Sequence, residues 1–257
     1  VVFRRAIVRP PPANFAAGLT SVDLGVPFYP RALAQHEAYC EALERCGISL
    51  IRLPADERYA DSTFVEDTAV LTERCAILTR PGAPSRTDEV AGISGELAHF
   101  YPVLHSIRAP GTLDGGDVCE AGNHFFIGIS QRTSETGAQQ LAAMLAQTGY
   151  TSTLLDIRDV EGILHLKSGL ACLPGNRLVV IETLAPREEF RGYDLVPVKT
   201  GDEYAANCIS VNDHVLVAAG FPAFEQTLRA LGLQTIAIDM SEFQKMDGGL
   251  SCLSLRF

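Results

Sequence analysis

A succession of strand, strand, helix and strand returns about every 45 residues along this chain, and that recurrence restricts the folds open to it. Arg5 to Arg9 reads as a strand, stopped by Pro10-Pro11-Pro12, and Asn14 to Gly25 as a loop long enough to act as a lid, with Gly18 and Gly25 as hinges. From Pro30 to Cys46, Leu33, His36, Tyr39, Cys40 and Leu43 follow helical spacing, and Gly47 stops the helix before strand Ile48–Leu53. The order then repeats. Strand Cys75–Thr79 precedes a helix near Asp88–Phe100 and a strand near Val103–Ile107. Strands near Val118–Glu120 and Phe125–Ile129 lead to helix Ser134–Gln147 and strand Thr151–Leu155. A weaker copy has strands Leu170–Leu173 and Leu178–Ile181, a short helix near Arg187–Phe190 and strand Leu195–Val198. In the last copy, strands Cys208–Val211 and Val215–Ala218 precede helix Ala223–Leu231 and strand Thr235–Ile238.

Units that each mix strands with a helix imply an α/β architecture. No Gly/Ser/Pro-rich linker divides them, so one domain over residues 1–257 is expected. Neither end carries a polar cap, which favours a closed ring over an open solenoid. With 47% hydrophobic residues the chain can bury a substantial core, but no apolar run reaches the length of a membrane span. The start, Val1-Val2-Phe3-Arg4-Arg5, lacks the apolar stretch and cleavage pattern of a signal peptide. Seven cysteines form no C-x-x-C pair and sit mostly in apolar runs, which disfavours a disulfide framework or zinc site and favours a reducing, cytoplasmic setting. A net charge of −10 argues against nucleic acid as a partner and suits a small cationic substrate.

Just beyond the last strand of successive units lie Asp67, Asp114, His165, Asn207 and Cys252, separated by 47, 51, 42 and 45 residues. If the units close around an axis, these positions converge at its centre. Loops after strands are rich in polar residues for ordinary reasons; the regular spacing of chemically useful types makes convergence the better reading. Asp61-Ser-Thr-Phe-Val-Glu66-Asp67 puts adjacent carboxylates beside an apolar pair, where a cation between them would relieve their repulsion. A guanidinium, with its planar fork of donors, is an apt guest, although a solvated turn would look the same in isolation. Leu113-Asp114-Gly-Gly-Asp117 gives a glycine turn flanked by acids, unsuited to phosphate and unlike an EF-hand.

His165 stands between leucines, where a lone histidine is usually a core residue. Cys252 follows Gly248-Gly249 and opens the alternation Leu253-Ser254-Leu255, read as a short strand; the common role of such a cysteine is that of a small hydrophobe. Together, however, Cys252 as nucleophile, His165 as base and Asp114 as orienting acid form a complete set for covalent catalysis. Arg86 and Arg132 each occupy a polar turn before a helix and would suit a substrate carboxylate.

The segments Phe64-Val-Glu-Asp67, Leu113-Asp-Gly-Gly-Asp117, His165-Leu-Lys-Ser168 and Asp247-Gly-Gly-Leu-Ser-Cys-Leu-Ser254, in that order, resemble the dimethylarginine dimethylaminohydrolase family. The likeness runs from about Arg5 to the C-terminus. It implies a five-bladed, pseudo-symmetric α/β propeller of ββαβ modules around a central active site. It implies Cys252 as nucleophile, His165 as general acid/base and Asp114 as its support, at a position where some members carry glutamate. By the same resemblance Asp67 with Glu66 faces the guanidinium, and Asp61 helps bind the amino-acid end. Arg86 and Arg132 hold the carboxylate and flank the site, Leu19 belongs to the lid, and the Met246 carbonyl meets the substrate amine. The implied reaction converts asymmetric dimethylarginine or monomethylarginine to citrulline plus the amine, and its chemistry requires no metal or organic cofactor. An inhibitory metal at the thiol–imidazole pair stays open, and family analogy alone allows a homodimer.

Arginine deiminase is the nearest alternative. That family's histidine motif is His-x-Asp, whose acid accepts from unmethylated guanidinium; Lys167 stands at that place here, which favours a methylated substrate. An amidinotransferase must also admit an acceptor amine and fits less well. A non-catalytic binder of cationic ligands would not need the thiol.

Overall fold

The computed structural model of the protein describes residues 2–257. Fifteen strands run in chain order: β1 (Arg5–Val8), β2 (Ser49–Arg52), β3 (Ala69–Leu71), β4 (Ala76–Leu78), β5 (Leu104–Ser106), β6 (Val118–Ala121), β7 (His124–Ile129), β8 (Thr151–Asp156), β9 (Leu170–Leu173), β10 (Arg177–Ile181), β11 (Asp194–Val198), β12 (Ile209–Val211), β13 (His214–Ala218), β14 (Gln234–Ile238) and β15 (Leu255–Arg256). They form five three-stranded sheets, β3-β4-β5, β6-β7-β8, β9-β10-β11, β12-β13-β14 and β15-β1-β2. In every sheet the first strand pairs antiparallel to the middle one, and the middle one pairs parallel to the last. A parallel pair needs a crossover. Helices α1 (Tyr29–Arg45), α2 (Ala91–Leu97), α3 (Glu135–Gln147) and α4 (Pro222–Ala230) supply it in four sheets, and a single 3₁₀ turn at Glu188–Phe190 in the fifth. A last short helix, α5 (Ser241–Gln244), precedes the C-terminal turn. These are the five blades of an α/β propeller.

The ring is closed by its two ends, because β15 enters the same sheet as β1 and β2. Arg5 N–H donates to the Phe257 carbonyl and Phe257 N–H to that of Arg5. Apolar side chains pack between neighbouring blades rather than in one central core. Ile7, Val65, Leu97 and Leu255 join the closing blade to the first. Phe64, Ile209, Leu216, Phe243 and Leu250 join it to the fourth.

The helices follow from local sequence. α3 starts at Ser134, whose hydroxyl accepts from Gly137 N–H at 3.1 Å, and buries Ala138, Leu141 and Leu145 along one face. α1 carries Pro30 in its first turn and buries Tyr39, whose hydroxyl meets Ser254 at 2.6 Å, tying the outer helix to the residue just ahead of β15. Gly47, with φ of 83°, allows the reversal into β2.

The five inner strands are preceded, without exception, by a 3₁₀ turn: Val65–Thr68, Gly115–Asp117, Leu166–Ser168, Glu203–Ala206 and Ser251–Leu253. Pseudo-symmetry therefore gathers five equivalent turns at one end of the axis. On the inner strands, Leu71, Glu120, Cys172, Ser210 and Arg256 are the half-buried members of the ring lining the channel behind those turns.

Candidate active site

All five positions singled out by spacing fall in these turns or one residue from them. Asp67 and Cys252 lie within the first and last turn, Asp114 and His165 directly precede theirs, and Asn207 directly follows its own. Cys252 thus sits in a 3₁₀ turn rather than opening a strand; the strand begins at Leu255. The Gly248-Gly249 pair explains the shift, since a Cβ on Gly249 would stand 2.5 Å from the Asn207 amide and the turn must wrap tightly against it.

A small cavity is lined by Leu19, Asp61, Asp67, Arg86, Arg132, His165, Met246 and Cys252, together with Phe64, Leu164, Asp247 and Gly248. Asp114 stands behind it, fully buried. Its Oδ2 meets His165 Nε2 at 2.9 Å and its Oδ1 accepts from Gly82 N–H at 2.8 Å. The aspartate therefore reaches the ring despite its short side chain. Burial works against a charged imidazole, yet Asp67, Asp117 and the bond to Asp114 outweigh it and hold His165 up at about 9. Asp117, not among the expected site residues, accepts from Leu166 N–H at 2.9 Å and from the Ser130 hydroxyl at 2.7 Å. It braces the histidine turn from behind.

The half-buried Cys252 thiol is pushed up to about 12 by burial and by the carboxylates of Glu66 and Asp67, while Gly249 N–H, 3.4 Å from the sulfur, and Lys167 work the other way. Burial and the nearby carboxylates thus favour the neutral thiol at Cys252, while the acids around His165 favour the charged ring. A cation seated against the sulfur would offset the carboxylates and favour the thiolate.

Glu66 departs from expectation. Its carboxylate turns away from the small cavity to Lys167 Nζ at 2.5 Å and the Ser251 hydroxyl at 2.8 Å. The repulsion between Glu66 and Asp67 is thus relieved by separate partners, with Asp67 Oδ2 on Arg86 Nη1 at 2.6 Å and Oδ1 on Gly116 N–H at 2.9 Å. Lys167 likewise points to Glu66 and does not line the small cavity. Arg86 is buried and already serves Asp67 and Glu89, the latter with bonds of 3.0 and 2.9 Å. Arg132 lines the cavity with no ion-pair partner among the described residues, which leaves it the better placed of the two to receive a carboxylate.

The lid is shut. Leu19 N–H donates to both oxygens of Asp61 at 3.1 and 3.2 Å, Ser21 N–H to Asp247 at 2.5 Å, and the Thr20 hydroxyl to the Lys245 carbonyl at 3.0 Å. The space left is about 30 Å³, room for about two water molecules. An amino acid enters only after the lid or a side chain moves.

A much larger cavity of about 580 Å³ lies behind the floor formed by Glu66, Lys167 and Ser251, and its walls include Cys119, Cys172 and Cys208. Size alone would favour it, but His165 and Cys252 line the smaller space and not this one. Ligand atoms of Asp67, Asp114 and His165 fall within 4.8 Å of one another. Arg86, Gly116, Gly82 and the imidazole already take the carboxylate oxygens, so this cluster is engaged by protein partners rather than arranged around an ion.

A family model described as arginine deiminase matches residues 62–205. The N(G),N(G)-dimethylarginine dimethylaminohydrolase of Pseudomonas aeruginosa is 43% identical over 257 residues, covering 100% of both chains. The chain belongs to the dimethylarginine dimethylaminohydrolase family. A second member, from Streptomyces coelicolor, is 33% identical over 98% of this chain and 96% of its own. A cysteine-to-serine variant of the Pseudomonas aeruginosa enzyme, solved in complex with citrulline, superposes with a TM-score of 0.97 at 43% identity and full coverage of both chains. A dimethylarginine dimethylaminohydrolase with histidine replaced by glycine, solved as its adduct with S-methyl-L-thiocitrulline, gives 0.96 at the same identity and coverage. The arginine dihydrolase domain ArgZ shares the fold, with a TM-score of 0.87 at 17% identity.

Proposed function

We propose that this dimethylarginine dimethylaminohydrolase family member hydrolyses asymmetric dimethylarginine and monomethylarginine to citrulline and dimethylamine or methylamine, with residues 1–257 acting as one catalytic domain. The observation that carries the reading is the shared cavity of Cys252, His165 and Asp67, with Asp114 bonded behind the imidazole. Resonance makes a guanidinium carbon a poor electrophile, so a thiolate nucleophile is needed. Substrate enters under the lid, its guanidinium against Asp67, its carboxylate toward Arg132, and its amine toward Asp61 and the Met246 carbonyl. The incoming cation lowers the pKa of the Cys252 thiol, which gives its proton to solvent, and the thiolate Sγ bonds to the central carbon of the guanidinium to give a neutral tetrahedral adduct.

His165, charged at rest, gives its proton to the methylated nitrogen, and the C–N bond breaks as the neutral amine leaves. The S-alkyl thiouronium that remains is attacked by water, whose proton passes to the now neutral His165. The second tetrahedral species collapses, the C–S bond breaks, and citrulline departs with the thiol restored. Asp114 holds the ring in register for both transfers. Where the deiminase motif has an acid this chain has Lys167, turned to Glu66, so that position leaves no acceptor unpaired beside a methylated nitrogen.

The test is an assay of asymmetric dimethylarginine, monomethylarginine and arginine that follows both citrulline and the released amine. Citrulline with dimethylamine or methylamine is expected from wild type and none from Cys252→Ser, which should still bind substrate. Ammonia from arginine, with the methylated substrates inert, would move the assignment to a deiminase.

A further inference from the structure

Asn207 is the one member of the five-turn series whose side chain lines neither the thiol nor the imidazole. It is 6% exposed and tied on every polar atom. Its Oδ1 accepts from Ser251 N–H at 2.9 Å, and its Nδ2 donates to the Lys167 carbonyl at 3.0 Å and the Ser251 hydroxyl at 3.1 Å. Because one partner is a backbone N–H and another a backbone carbonyl, the amide can sit only one way round. Gly249 lies flat against it, since even a methyl group there would come within 2.5 Å of the amide carbon. From this clamped glycine the N–H points at the Cys252 sulfur at 3.4 Å, and Cys252 N–H returns to the Gly249 carbonyl at 3.2 Å. The same amide grips the turn that begins at His165, through the Lys167 carbonyl.

We infer that Asn207 is a positioning residue for the nucleophile: it fixes the Gly249 peptide so that its N–H faces Cys252, and it couples the thiol turn to the imidazole turn. Its hydrogen bonds reach two loops 84 residues apart in sequence, at Lys167 and Ser251, and no other side chain among the described residues bonds to the backbone of both. Without the amide, the Gly249 N–H is free to turn away, and the thiolate loses its backbone donor. The assignment rests on Cys252 being the nucleophile.

Two variants test it, Asn207→Ala, which removes all three bonds, and Asn207→Asp, which keeps the shape and loses both donors. Turnover of asymmetric dimethylarginine should fall about 100-fold in kcat, with KM within about 3-fold, as expected for a reacting atom displaced by about 1 Å. Alkylation of Cys252 by iodoacetamide at pH 8, read by peptide mass, should slow about tenfold as the thiolate fraction drops. A purely structural role predicts the opposite sign, because a loosened turn exposes the sulfur and labels faster. Faster or unchanged labelling, or a kcat within 3-fold of wild type in folded protein, would overturn the positioning role. If alkylated or Cys252→Ala wild-type background still yields citrulline, the nucleophile itself has been misassigned, a result separable from either outcome for Asn207.

Discussion

At the scale of single residues, the site is an electrostatic arrangement in which carboxylates outnumber the cations that face them. Against the cost of burial, Asp67, Asp117 and Asp114 hold His165 up at about 9, and Asp114 is the one bonded to the ring, so Asp114→Asn should lower turnover by about 10² to 10⁴, the range general acid–base catalysis contributes. Steady-state kinetics would show that fall in kcat with KM little changed. The same raised pKa has a consequence for folding. The charged ring is favoured in the folded state, so its contribution is present in full below about 6.5 and is lost as pH rises through about 9. Its size is about 3 kcal/mol at most. Urea midpoints of wild type and His165→Gln should therefore differ most near pH 6 and converge by pH 10. A difference that grew with pH would mean the ring is neutral at rest. The spacing of Asp67, Asp114, His165, Asn207 and Cys252 matched the repeat, and each falls in or beside one of the five equivalent turns. It could not disclose that Glu66 turns to Lys167, because whether adjacent acids share one cation or take one each depends on cations that are distant in sequence, at Arg86 and Lys167.

At the scale of elements, the turns and the loop carrying Leu19 line the small cavity while the strands hold them in place. Strand and helix positions were legible where apolar periodicity persisted for five residues or more, as in β7, β10 and α3. The three-residue β3, the 3₁₀ turn in place of a helix at Glu188–Phe190, and the turn around Cys252 were not. The equally short β4, β5 and β12 could be read from the repeat order around them, whereas these segments have no period to read and tertiary pairing decides them. The loop that carries Gly18 and Gly25 was legible as such, but its latch was not, because Asp61 is 42 residues from the Leu19 N–H it accepts from. That latch makes a prediction. A Cβ at Gly18 would collide with the Asp61 carboxylate that bonds Leu19, so Gly18→Ala should prop the lid open. Since the lid orders the substrate rather than reacting with it, KM for asymmetric dimethylarginine should rise about tenfold, the equivalent of about 1.4 kcal/mol. Limited proteolysis within residues 19–26 should accelerate in parallel. A normal KM with faster cleavage would separate lid order from substrate binding.

At the scale of the whole molecule, a ring has no independent blade, and its cores belong to interfaces between neighbours. The closing blade is the test case, because β15 comes from one end of the chain while β1 and β2 come from the other. Only two residues of β15 pair with β1, at Ala6↔Arg256 and Ile7↔Leu255, so the ladder alone is too short to hold the ring. What holds it is side-chain packing: Leu255 is 4% exposed and sits with Ile7, Val65 and Leu97 between the closing blade and the first. Leu255→Ala should cost about 2–5 kcal/mol, the range for a buried leucine truncated to alanine. The same truncation disturbs the turn just upstream that holds Cys252, so activity and stability should fall together. If the blades fold as one unit, unfolding of Leu255→Ala in urea remains a single transition with an unchanged slope. Amides of Ile7 and of Val179, the latter far round the ring in β10, should then exchange with solvent at the same limiting free energy. Early exchange confined to β1 and β15, with β10 unaffected, would show that the closing blade frays by itself and that the propeller's continuity is not what keeps Cys252 beside Asp67.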